Sequence, residues 1–440
     1  MEEVDLLITD IDWLATCDCA MTIFQDGALA VKGDRLVAVG ETQLISNAYV
    51  GRKHISLKGC IVIPGLVNTH THAAMSLFKG ISDDLPLERW LHDVVFPAES
   101  RCVDQDFVYL GTLLAISEML LSGTTTFCDG YFFEEWAARA ALEAGCRAVL
   151  GQGIIDFPSP DLTDPKEAGA RIDAFLDAFP AECPRLQPSI FCHAPYSCSA
   201  NTLKWVKEFC RQNNLLFQIH VSETKQEVIE FVKEHGKRPV MYLDKLGILD
   251  EKTLCVHAVW VDDEEIRCLA SRGVKISHNL ESNMKLGAGI SPVVEMLGAG
   301  LTVGLGTDSC ASNNDLDLLS EMDRVAKVHK VWCGDPSVLT AEEVLLMATL
   351  KGAQALGMKE EIGSLEAGKK ADFVAIDINQ PHLVPLYNPV SHLVYAARGS
   401  DVRHVWVDGN QIVKDAKLLT LDTGLIIREA QKILRKKGRR

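Results

Sequence analysis

The 440-residue sequence has no apolar run long enough to cross a bilayer, and it is poor in positive charge. Lysine and arginine number 44 against 60 aspartate and glutamate residues, and the net charge of −16 disfavours nucleic acid as a partner. The first residues, MEEVDLLITDID, lack a basic segment followed by an apolar one, so we expect no secretory signal. These absences favour a protein that contacts neither membrane nor nucleic acid.

Cysteine is plentiful, but the spacing that would make it a metal ligand is missing. The fourteen cysteines are scattered, many within apolar runs, and no pair of CxxC elements occurs, which excludes a thiolate zinc ribbon. The H-x-E…P-C-x-x-C signature of cytidine-type zinc deaminases is also absent. Scattered cysteines in apolar runs are typical of a reducing compartment, so we predict a cytoplasmic protein.

The two ends of the chain differ in pattern from its middle. Residues 1–58 and 368–440 contain short apolar or alternating runs separated by turn residues such as Asp26-Gly27 and Asp408-Gly409, a pattern that predicts strands. Because isolated hairpins are marginally stable, we expect both ends to pool their strands in one small composite β-sandwich. A helix is expected to follow at the C-terminus.

Residues 59–367 alternate short apolar runs with longer amphipathic stretches, the pattern of βα units around a parallel sheet. Eight such runs predict the α/β class and a (β/α)8 TIM barrel. The runs are Ile61–Val67, Thr124–Cys128, Ala148–Ile155, Ile190–Cys192, Leu216–Ile219, Thr253–Val256, Val274–Ser277 and Leu301–Leu305.

Histidine and aspartate residues follow these predicted strands with a regularity that thirteen randomly placed histidines would not show. The chemistry of such barrels lies at the carboxyl ends of the strands, and residues two apart in a strand point the same way. The residues are His70 and His72 after the first run, His193 after the fourth, His220 after the fifth, His257 after the sixth and Asp308 after the eighth. The pattern indicates a metal site.

Four of these residues supply the donor types that a catalytic zinc ion takes while keeping one position open for water: His70, His72, His220 and Asp308. Such an ion lowers the pKa of water toward neutrality and so supplies a nucleophile. Asp308 could also accept a proton from that water. The fourth run ends in Cys192-His193 without a lysine that could bridge two ions, so we expect one divalent metal ion per chain.

Two further residues are candidates for acid–base chemistry. Glu223 lies three residues beyond His220, where a carboxylic acid can protonate a ring nitrogen of a substrate. His257 is a second acid–base candidate or orients the water. Taken alone, Glu223 is equally a solvated carboxylate in a first helical turn, and His257 a hydrogen-bonded core histidine. Their place among the strand ends favours the catalytic interpretation.

Seven stretches of sequence, together spanning nearly the whole chain, carry these residues and their surroundings. They are PGLVNTHTHAAMSLFKGISDDLPLERWL (64–91), GTTTFCD (123–129), HAPYSCS (193–199), IHVSET (219–224), SHNLESNMKLG (277–287), GTDSCASNNDLDLLSEM (306–322) and GSLEAGKKADFVAID (363–377). Through them the chain resembles the amidohydrolase superfamily and, within it, the 5′-methylthioadenosine/S-adenosylhomocysteine deaminase family. The resemblance implies a barrel with a composite β-sandwich, one zinc ion, and hydrolytic loss of ammonia from C6 of an adenine ring.

The resemblance also implies a role for individual residues. The metal ligands would be His70, His72, His220 and Asp308. The residues that would act on the nucleoside are Glu223 as proton donor to N1, His257 as the group that positions water, His193 on the purine, Glu99 on the ribose hydroxyls and Arg147 on the tail of the substrate.

The chain departs from the family in two places. Gln152 stands in a stretch where the family often has an arginine, and an amide cannot clamp a carboxylate bidentately. This weakens S-adenosylhomocysteine as a substrate and leaves methylthioadenosine, adenosine and 5′-deoxyadenosine open. Ser309-Cys310 replaces the usual Gly-Ala, a change between small residues that alters the pocket wall rather than the fold.

Other functions and assemblies stay open at this point. Another amidohydrolase reaction on a nitrogen heterocycle, guanine deamination or triazine hydrolysis, uses similar residues. A barrel that has lost catalysis and serves in binding is a third interpretation, but none of the four metal ligands is missing. The sequence leaves a homo-oligomer open as well, because too few apolar residues lie on predicted exposed helices to define an interface.

Overall fold

The computed structural model describes residues 1–180 and 182–437. The strands, in chain order, are β1 (Glu2–Ala15), β2 (Ile23–Lys32), β3 (Arg35–Glu41), β4 (Tyr49–Ser56), β5 (Cys60–Pro64), β6 (Leu66–Thr71), β7 (Thr124–Tyr131), β8 (Arg147–Ile154), β9 (Leu186–Cys192), β10 (Leu216–Val221), β11 (Thr253–His257), β12 (Lys275–His278), β13 (Thr302–Leu305), β14 (Phe373–Asp377), β15 (Val402–Val407), β16 (Asn410–Lys414) and β17 (Lys417–Leu418).

The α-helices of the described residues lie mostly between the later strands. They are α1 (Thr42–Ala48), α2 (Leu87–Arg89), α3 (Phe96–Cys102), α4 (Gln105–Leu121), α5 (Glu134–Ala144), α6 (Ala168–Ala178), α7 (Ala200–Gln212), α8 (Lys225–His235), α9 (Pro239–Leu246), α10 (Asp263–Ser271), α11 (Leu280–Lys285), α12 (Val293–Gly298), α13 (Leu318–Cys333), α14 (Ala341–Met347), α15 (Leu350–Ala355), α16 (Pro389–Tyr395) and α17 (Thr423–Lys437). A π-helix, Trp90–Val95, joins α2 to α3.

Strands β6 to β13 form an eight-stranded sheet in which each strand lies beside its neighbour in sequence. Successive strands from β8 to β13 are paired in parallel. Beyond β13, the backbone N–H of Asp308 donates to the carbonyl of His70 on β6 (3.0 Å), which brings the end of the last strand beside the first. The predicted (β/α)8 barrel is confirmed.

Barrel strands β6, β7 and β8 do not alternate between polar and apolar residues because both faces of each strand are buried. Every residue of β6, β7 and β8 is buried. Parallel sheets covered by helices show this pattern, whereas a sheet with one wet face would alternate polar and apolar residues. The same burial means that any polar side chain at a strand end needs a partner within the barrel.

The remaining strands come from both ends of the chain and join in one mixed nine-stranded sheet. Its order is β17-β16-β15-β14-β5-β1-β2-β3, and β4 pairs with β1. On this sheet Phe373 stacks on Trp406, with ring centroids 4.6 Å apart, and Ile8, Leu14 and Leu29 belong to the same buried cluster. The prediction of one β-rich part built from both termini is confirmed.

The predicted first barrel strand, Ile61–Val67, is divided in the structure. Residues up to Pro64 belong to β5 and pair with β1 and β14, and the barrel strand begins at Leu66. Gly65 lies between the two strands, and a larger residue would not fit there because a Cβ would lie 2.0 Å from Thr125 Oγ1. The apolar run continues across the break, which is why the sequence pattern alone merges two strands.

Two compact units can be distinguished by their internal packing. The first comprises residues 1–68, 117–126 and 317–421, and the second comprises 69–116, 127–316 and 422–440. The division of the chain at residues 58 and 367 stays a prediction, and residues 438–440 of its last segment lie outside the described residues. No described helix is both long and apolar enough to cross a membrane.

Candidate active site

Three histidines and one aspartate converge at the carboxyl ends of the barrel strands. The Nε2 atoms of His70 and His220 lie 3.2 Å apart, and Asp308 Oδ1 lies 3.5 Å from Nε2 of both His70 and His72. Donor atoms of the three histidines all lie within 4.8 Å of one another. His70 and His72 lie at the end of β6, His220 in β10, and Asp308 three residues after β13.

The spacing of these donor atoms fits one tetrahedral metal ion. With bonds of about 2.0–2.1 Å, neighbouring ligand atoms of a zinc ion lie about 3.3–3.4 Å apart, which is close to the 3.2 and 3.5 Å separations. Three imidazole nitrogens and a carboxylate oxygen that face one common point are the donor types that zinc takes. The donor set therefore fits a single divalent ion, of which Zn²⁺ is the natural choice.

Burial keeps the histidines in the form that binds metal. Burial lowers the pKa of His70 to about 4 and holds that of His220 well below its usual value. Both imidazoles are thus neutral at physiological pH, as ligation requires. His72 is oriented from its other nitrogen, since Nδ1 pairs with the carbonyl of Gly130 at 2.5 Å. Such a contact fixes the ring and leaves Nε2 facing the other donors.

The two carboxylate oxygens of Asp308 face different neighbours. Oδ2 accepts hydrogen bonds from Ser282 Oγ (2.6 Å) and Ser312 Oγ (2.9 Å), and Oδ1 faces His70 and His72. Burial would raise the pKa of Asp308, but its hydrogen bond with His70 and its electrostatic interactions with His72 and His257 hold it well below its usual range. The backbone of Asp308 has φ +60°, a conformation that non-glycine residues adopt at a cost, often at functional sites.

Glu223 and His257 lie together beside this donor set. Glu223 Oε2 is 3.8 Å from His257 Nε2, and both residues are buried. Burial, reinforced by the charge of Asp308, raises the pKa of Glu223 to about 8, so the carboxyl group is protonated near neutral pH. His257 Nδ1 pairs with Asn283 Oδ1 (2.9 Å), and burial lowers the pKa of His257. The pair thus presents an acid and a neutral imidazole.

The start of α8 fixes the backbone that carries Glu223. The carboxylate of Glu227 accepts from the backbone N–H groups of Ser222 (2.9 Å), Glu223 (2.7 Å) and Thr224 (3.3 Å). Thr224 Oγ1 in turn accepts from the N–H of Glu227 (3.1 Å), which completes a capping box. The sequence IHVSET therefore encodes both a strand end and a helix start, and Glu223 lies between them.

A cavity of about 350 Å³ opens beside these residues and is lined by all but one of the metal-ligand candidates. His193, at the end of β9, also lines the cavity, and its Nδ1 pairs with Ser197 Oγ (2.8 Å). Burial lowers the pKa of His193 to about 3, so its ring is neutral. Its Nε2 is the remaining polar atom of the ring that can contact a ligand.

Glu99, on α3, lines the same cavity and accepts a hydrogen bond from Tyr131 Oη (2.7 Å). Burial raises the pKa of Glu99 to about 7, and the bond from Tyr131 opposes that rise. A buried carboxylate with one oxygen held by a phenol has its second oxygen available for hydroxyl groups of a ligand.

Arg147 does not line the cavity and, unlike His70, does not contact the metal-ligand candidates that do. It is the first residue of β8, and the cavity is lined by Gly153 and Ile154 at the other end of the strand. Gln152 does not line the cavity either; its Nε2 donates to Asp161 Oδ2 (2.9 Å). Side chains alternate along a strand, so Gln152 points away from the face on which Gly153 lies.

Several residues of the site escaped the sequence analysis. Tyr131 ends β7 and follows the same strand-end rule as the histidines, so it could have been found. Ser282, Asn283 and Ser312 lie in the stretches 277–287 and 306–322, but serine and asparagine are common in loops and give no signal of their own. Glu227 is recognisable as the N3 residue of a capping box that begins at Thr224.

A TIM barrel with histidine and carboxylate donors at its strand ends defines a class of metal-dependent hydrolases. The chain belongs to the amidohydrolase family, whose family model matches residues 61–412.

Similar proteins show which members of this family the chain resembles. A 5-methylthioadenosine/S-adenosylhomocysteine deaminase of Syntrophobacter fumaroxidans is 44% identical over 98% of each chain. A 5′-deoxyadenosine deaminase of Methanothermobacter thermautotrophicus is 43% identical over 92% of this chain and 93% of that protein. The crystal structure of an adenosine deaminase from Xanthomonas campestris with bound zinc superposes with a TM-score of 0.97, at 35% identity and with 100% of each chain covered.

Proposed function

We propose that this protein is a metal-dependent deaminase that hydrolyses the C6 amino group of an adenosine-type nucleoside, giving the inosine analogue and ammonia. The observation that carries the proposal is the position of the buried carboxyl group of Glu223, 3.8 Å from His257 Nε2 and beside the His/Asp donor set. Ring deamination needs an acid that is still protonated at neutral pH next to an activated water molecule. The relatives described above, which are named for deamination of adenosine derivatives, support the same reaction.

In this proposal His70, His72, His220 and Asp308 hold one zinc ion. When bound, the ion lowers the pKa of a water molecule and makes it a nucleophile toward C6. Asp308, whose Oδ2 accepts hydrogen bonds from two serine hydroxyls, would take up a proton from that water. His257, neutral and fixed through Asn283, orients the water from the other side.

Glu223 performs the acid step. Its protonated carboxyl group donates to N1 of the purine while water adds to C6, so no charge accumulates on the ring. Asp308 then passes the proton it took from water to the C6 amino group. The C6–N bond breaks and ammonia leaves while the C6 hydroxyl gives its proton to Glu223 and becomes the carbonyl of the inosine analogue. His193 hydrogen-bonds the purine through Nε2, and Glu99 accepts from ribose hydroxyls while Tyr131 holds its other oxygen.

The other interpretations receive less support. Guanine deamination and triazine hydrolysis would use a similar donor set, but the sequence relatives described above are named for adenosine derivatives. A barrel without catalysis would have no reason to bury an acid such as Glu223 and a histidine such as His257 beside four converging donor residues. Burying such groups costs stability, and that cost is usually offset by function.

The cysteines indicate the cellular compartment of the enzyme. All fourteen cysteines are free, and several are buried within the barrel, as in Cys128, Cys192 and Cys255. We infer a reducing, cytoplasmic environment in which a small nucleoside is the partner.

The test is ammonia release from zinc-loaded protein. The substrates are adenosine, 5′-methylthioadenosine, 5′-deoxyadenosine, S-adenosylhomocysteine, adenine and guanine, and the purine product is identified by chromatography. We expect ammonia and an inosine analogue from at least one adenosine derivative and neither from guanine. Release from guanine alone, or from no compound, would refute the proposal.

A pair of histidine variants tests whether His220 binds the metal. His220→Ala should lower zinc content and turnover together, because it removes one of four ligands. His54 is exposed on β4 and pairs with Thr9, so His54→Ala should change neither. Equal zinc content in both variants would remove His220 from the ligand set.

A further inference from the structure

Two consecutive residues near the end of β7, Asp129 and Gly130, hold the chain around His72. The carboxylate Oδ1 of Asp129 accepts hydrogen bonds from the hydroxyl of Thr71 (2.8 Å) and from the backbone N–H of Ala73 (2.8 Å). The carbonyl of Gly130 pairs with His72 Nδ1 at 2.5 Å. Each of the three residues 71–73 therefore has a polar contact with β7.

His72 depends on such contacts more than the other histidine ligands do. Its side chain is 12% exposed, whereas that of His70 is fully buried, so packing restricts the His72 ring less. A short 3₁₀ helix, Ala73–Phe78, begins directly after His72, and the first N–H groups of a helix have no partner within it. Asp129 supplies an acceptor for Ala73 from another strand, which fixes the backbone on which the His72 ring is carried.

The second carboxylate oxygen of Asp129 faces another buried carboxyl group, that of Glu134 at the start of α5. Both residues are fully buried, and their carboxyl groups lie within hydrogen-bond reach of each other. No N–H or hydroxyl group of the described residues donates to Asp129 Oδ2 or to either carboxyl oxygen of Glu134. Two carboxyl groups in such contact cannot both ionise, so they hold one proton between them.

Glu134 is the member of the pair that carries this proton. Burial, reinforced by the charge of Asp129, raises the pKa of Glu134 well above its usual value. Burial also raises the pKa of Asp129, but the backbone N–H of Ala73 and the interaction with His72 oppose that rise. The acid O–H of Glu134 thus donates to Asp129 Oδ2, and this bond leaves Oδ1 directed at the chain around His72.

Neither carboxyl group touches the cavity, and the proposed reaction uses neither of them. Burying two acids costs stability, so their place beside a metal ligand calls for a function. We propose that Asp129, held by its hydrogen bond with Glu134, is a positioning residue for the metal ligand His72. This inference rests on the proposed function only for the assignment of His72 as a ligand, and it does not depend on which substrate is deaminated.

Zinc affinity in the absence of substrate tests the proposal, measured on the full chain by competition with a chromophoric chelator. Asp129→Ala removes the acceptor for Thr71 and Ala73, so the Kd for zinc should rise by about 10–100-fold. Asp129→Asn keeps an oxygen for these two donors and offers its amide N–H to Glu134, so the Kd should stay within about threefold of wild type. The visible spectrum of the Co²⁺-loaded protein, which reports coordination geometry, should change in the alanine variant only.

A second pair of variants tests the contribution of Glu134. Glu134→Gln replaces the acid O–H by an amide N–H, whereas Glu134→Leu leaves Asp129 Oδ2 without a donor. We expect the leucine variant to weaken zinc binding at least about fivefold and the glutamine variant to stay within about threefold of wild type. Equal weakening in both variants would mean that the hydrogen bond between the two carboxyl groups is not what holds Asp129, and the proposal would be wrong.

A buried carboxylate away from the metal ligands controls for a general loss of stability. Glu265 is fully buried and accepts a hydrogen bond from Arg238 Nε (2.8 Å). Glu265→Ala should therefore lower the unfolding midpoint but leave the zinc Kd and the Co²⁺ spectrum as in wild type. The proposal is refuted if Asp129→Ala binds zinc as tightly as wild type, if Asp129→Asn binds as weakly as Asp129→Ala, or if Glu265→Ala weakens binding to the same extent.

Variants of Thr71 decide the matter if Asp129→Ala does not fold. Thr71→Val keeps the shape of the side chain but removes the hydroxyl that donates to Asp129, and Thr71→Ser keeps that hydroxyl. We expect the valine variant to weaken zinc binding at least about threefold and the serine variant to match wild type. Equal zinc affinity in the two variants would contradict the proposal.

The same measurements separate this inference from the proposed function. Wild-type protein that binds zinc but releases no ammonia from any nucleoside would refute the deamination and leave the role of Asp129 standing. Wild-type protein that binds no zinc would refute both. Normal deamination by a protein whose zinc affinity is unaffected in Asp129→Ala would refute the role of Asp129 alone.

Discussion

Asp308 illustrates how one residue can serve two purposes when its oxygens face different neighbours. Two serine hydroxyls hold Oδ2, and Oδ1 is left toward His70 and His72. A carboxylate that rotated freely would exchange its two oxygens between these positions. It would then lose rotational entropy each time it bound a metal ion. The serines thus set the direction in which Asp308 offers its charge before any ligand arrives.

At the same scale, Glu223→Gln tests the acid step. The amide keeps the size and burial of the side chain but cannot donate an acidic proton, so we expect turnover to fall by about 10²–10⁴. Zinc content should be unchanged, because Glu223 is not among the converging donors. Metal analysis and ammonia release on the same sample check both parts. Loss of zinc in step with activity would instead make Glu223 a ligand.

The pH profile gives a second measurement of the same residue. Glu223 acts when protonated, and burial raises its pKa to about 8, so kcat/KM should decline as the pH rises above that value. His257, Asp308 and Glu227 are titratable groups around it, and the charge of Asp308 favours the protonated form. The decline should vanish in the residual activity of Glu223→Gln. A flat profile in wild type up to pH 9.5 would contradict this assignment.

At the scale of the element, the first turn of α8 decides where Glu223 lies. Glu227 holds three consecutive backbone N–H groups, one of which belongs to Glu223. We expect Glu227→Gln to lower kcat several-fold while zinc content and KM change little, because an amide oxygen cannot satisfy all three donors. The lost cap should also reduce the stability of the protein by about 1–2 kcal/mol.

Glu230 provides the matched control on the same helix. It is exposed and contacts only Gln226 among the side chains, so Glu230→Gln should leave kcat and the unfolding midpoint as in wild type. If Glu227→Gln lowers the midpoint but leaves kcat intact, Glu227 is a helix cap and not a positioning residue.

The secondary-structure elements also explain which features of the fold and site could be predicted from the sequence. Apolar runs located all eight barrel strands, because parallel strands buried on both faces lack alternation and are easy to find. Catalytic residues of such barrels lie at the carboxyl ends of the strands, and this rule identified His70, His220, His257 and Asp308 as candidates. It worked because histidine and aspartate are rare in apolar runs, so each occurrence carries information.

The positions of other residues depend on features that the sequence pattern does not contain. Arg147 precedes the third predicted run, so its position in the strand already set it at the amino end, and only the resemblance suggested a role in binding substrate. Ser282 and Asn283 contact Asp308 and His257 through the geometry of α11, which no sequence period encodes. The break at Gly65 depends on the space beside Thr125, a contact between segments far apart in sequence.

At the scale of the whole molecule, the metal site ties distant strands together. Its donor atoms come from β6, β10 and the segment after β13, so an ion bound there links the first, fifth and eighth strands of the barrel. A ligand that binds only the folded state stabilises it by mass action, by about 4 kcal/mol at a concentration 1,000 times its Kd. Removing the metal should therefore cost stability as well as activity.

We expect a chelator to abolish ammonia release and to lower the apparent Tm by several degrees, and added Zn²⁺ to restore both. Differential scanning fluorimetry and metal analysis on the same preparation check this. His220→Ala should show a low Tm that zinc does not restore. An unchanged Tm in protein proven free of metal would mean that the barrel is held by its apolar core alone.

The wide separation of the metal donors along the chain has a consequence for biosynthesis. His72 and Asp308 are separated by 236 residues, since 308 − 72 = 236. At about 5–20 residues per second, a ribosome needs on the order of 10–50 s to travel from one to the other. His220 is synthesised within that interval, but Asp308 is not, so the full set of four donors exists only after the eighth barrel strand has been made.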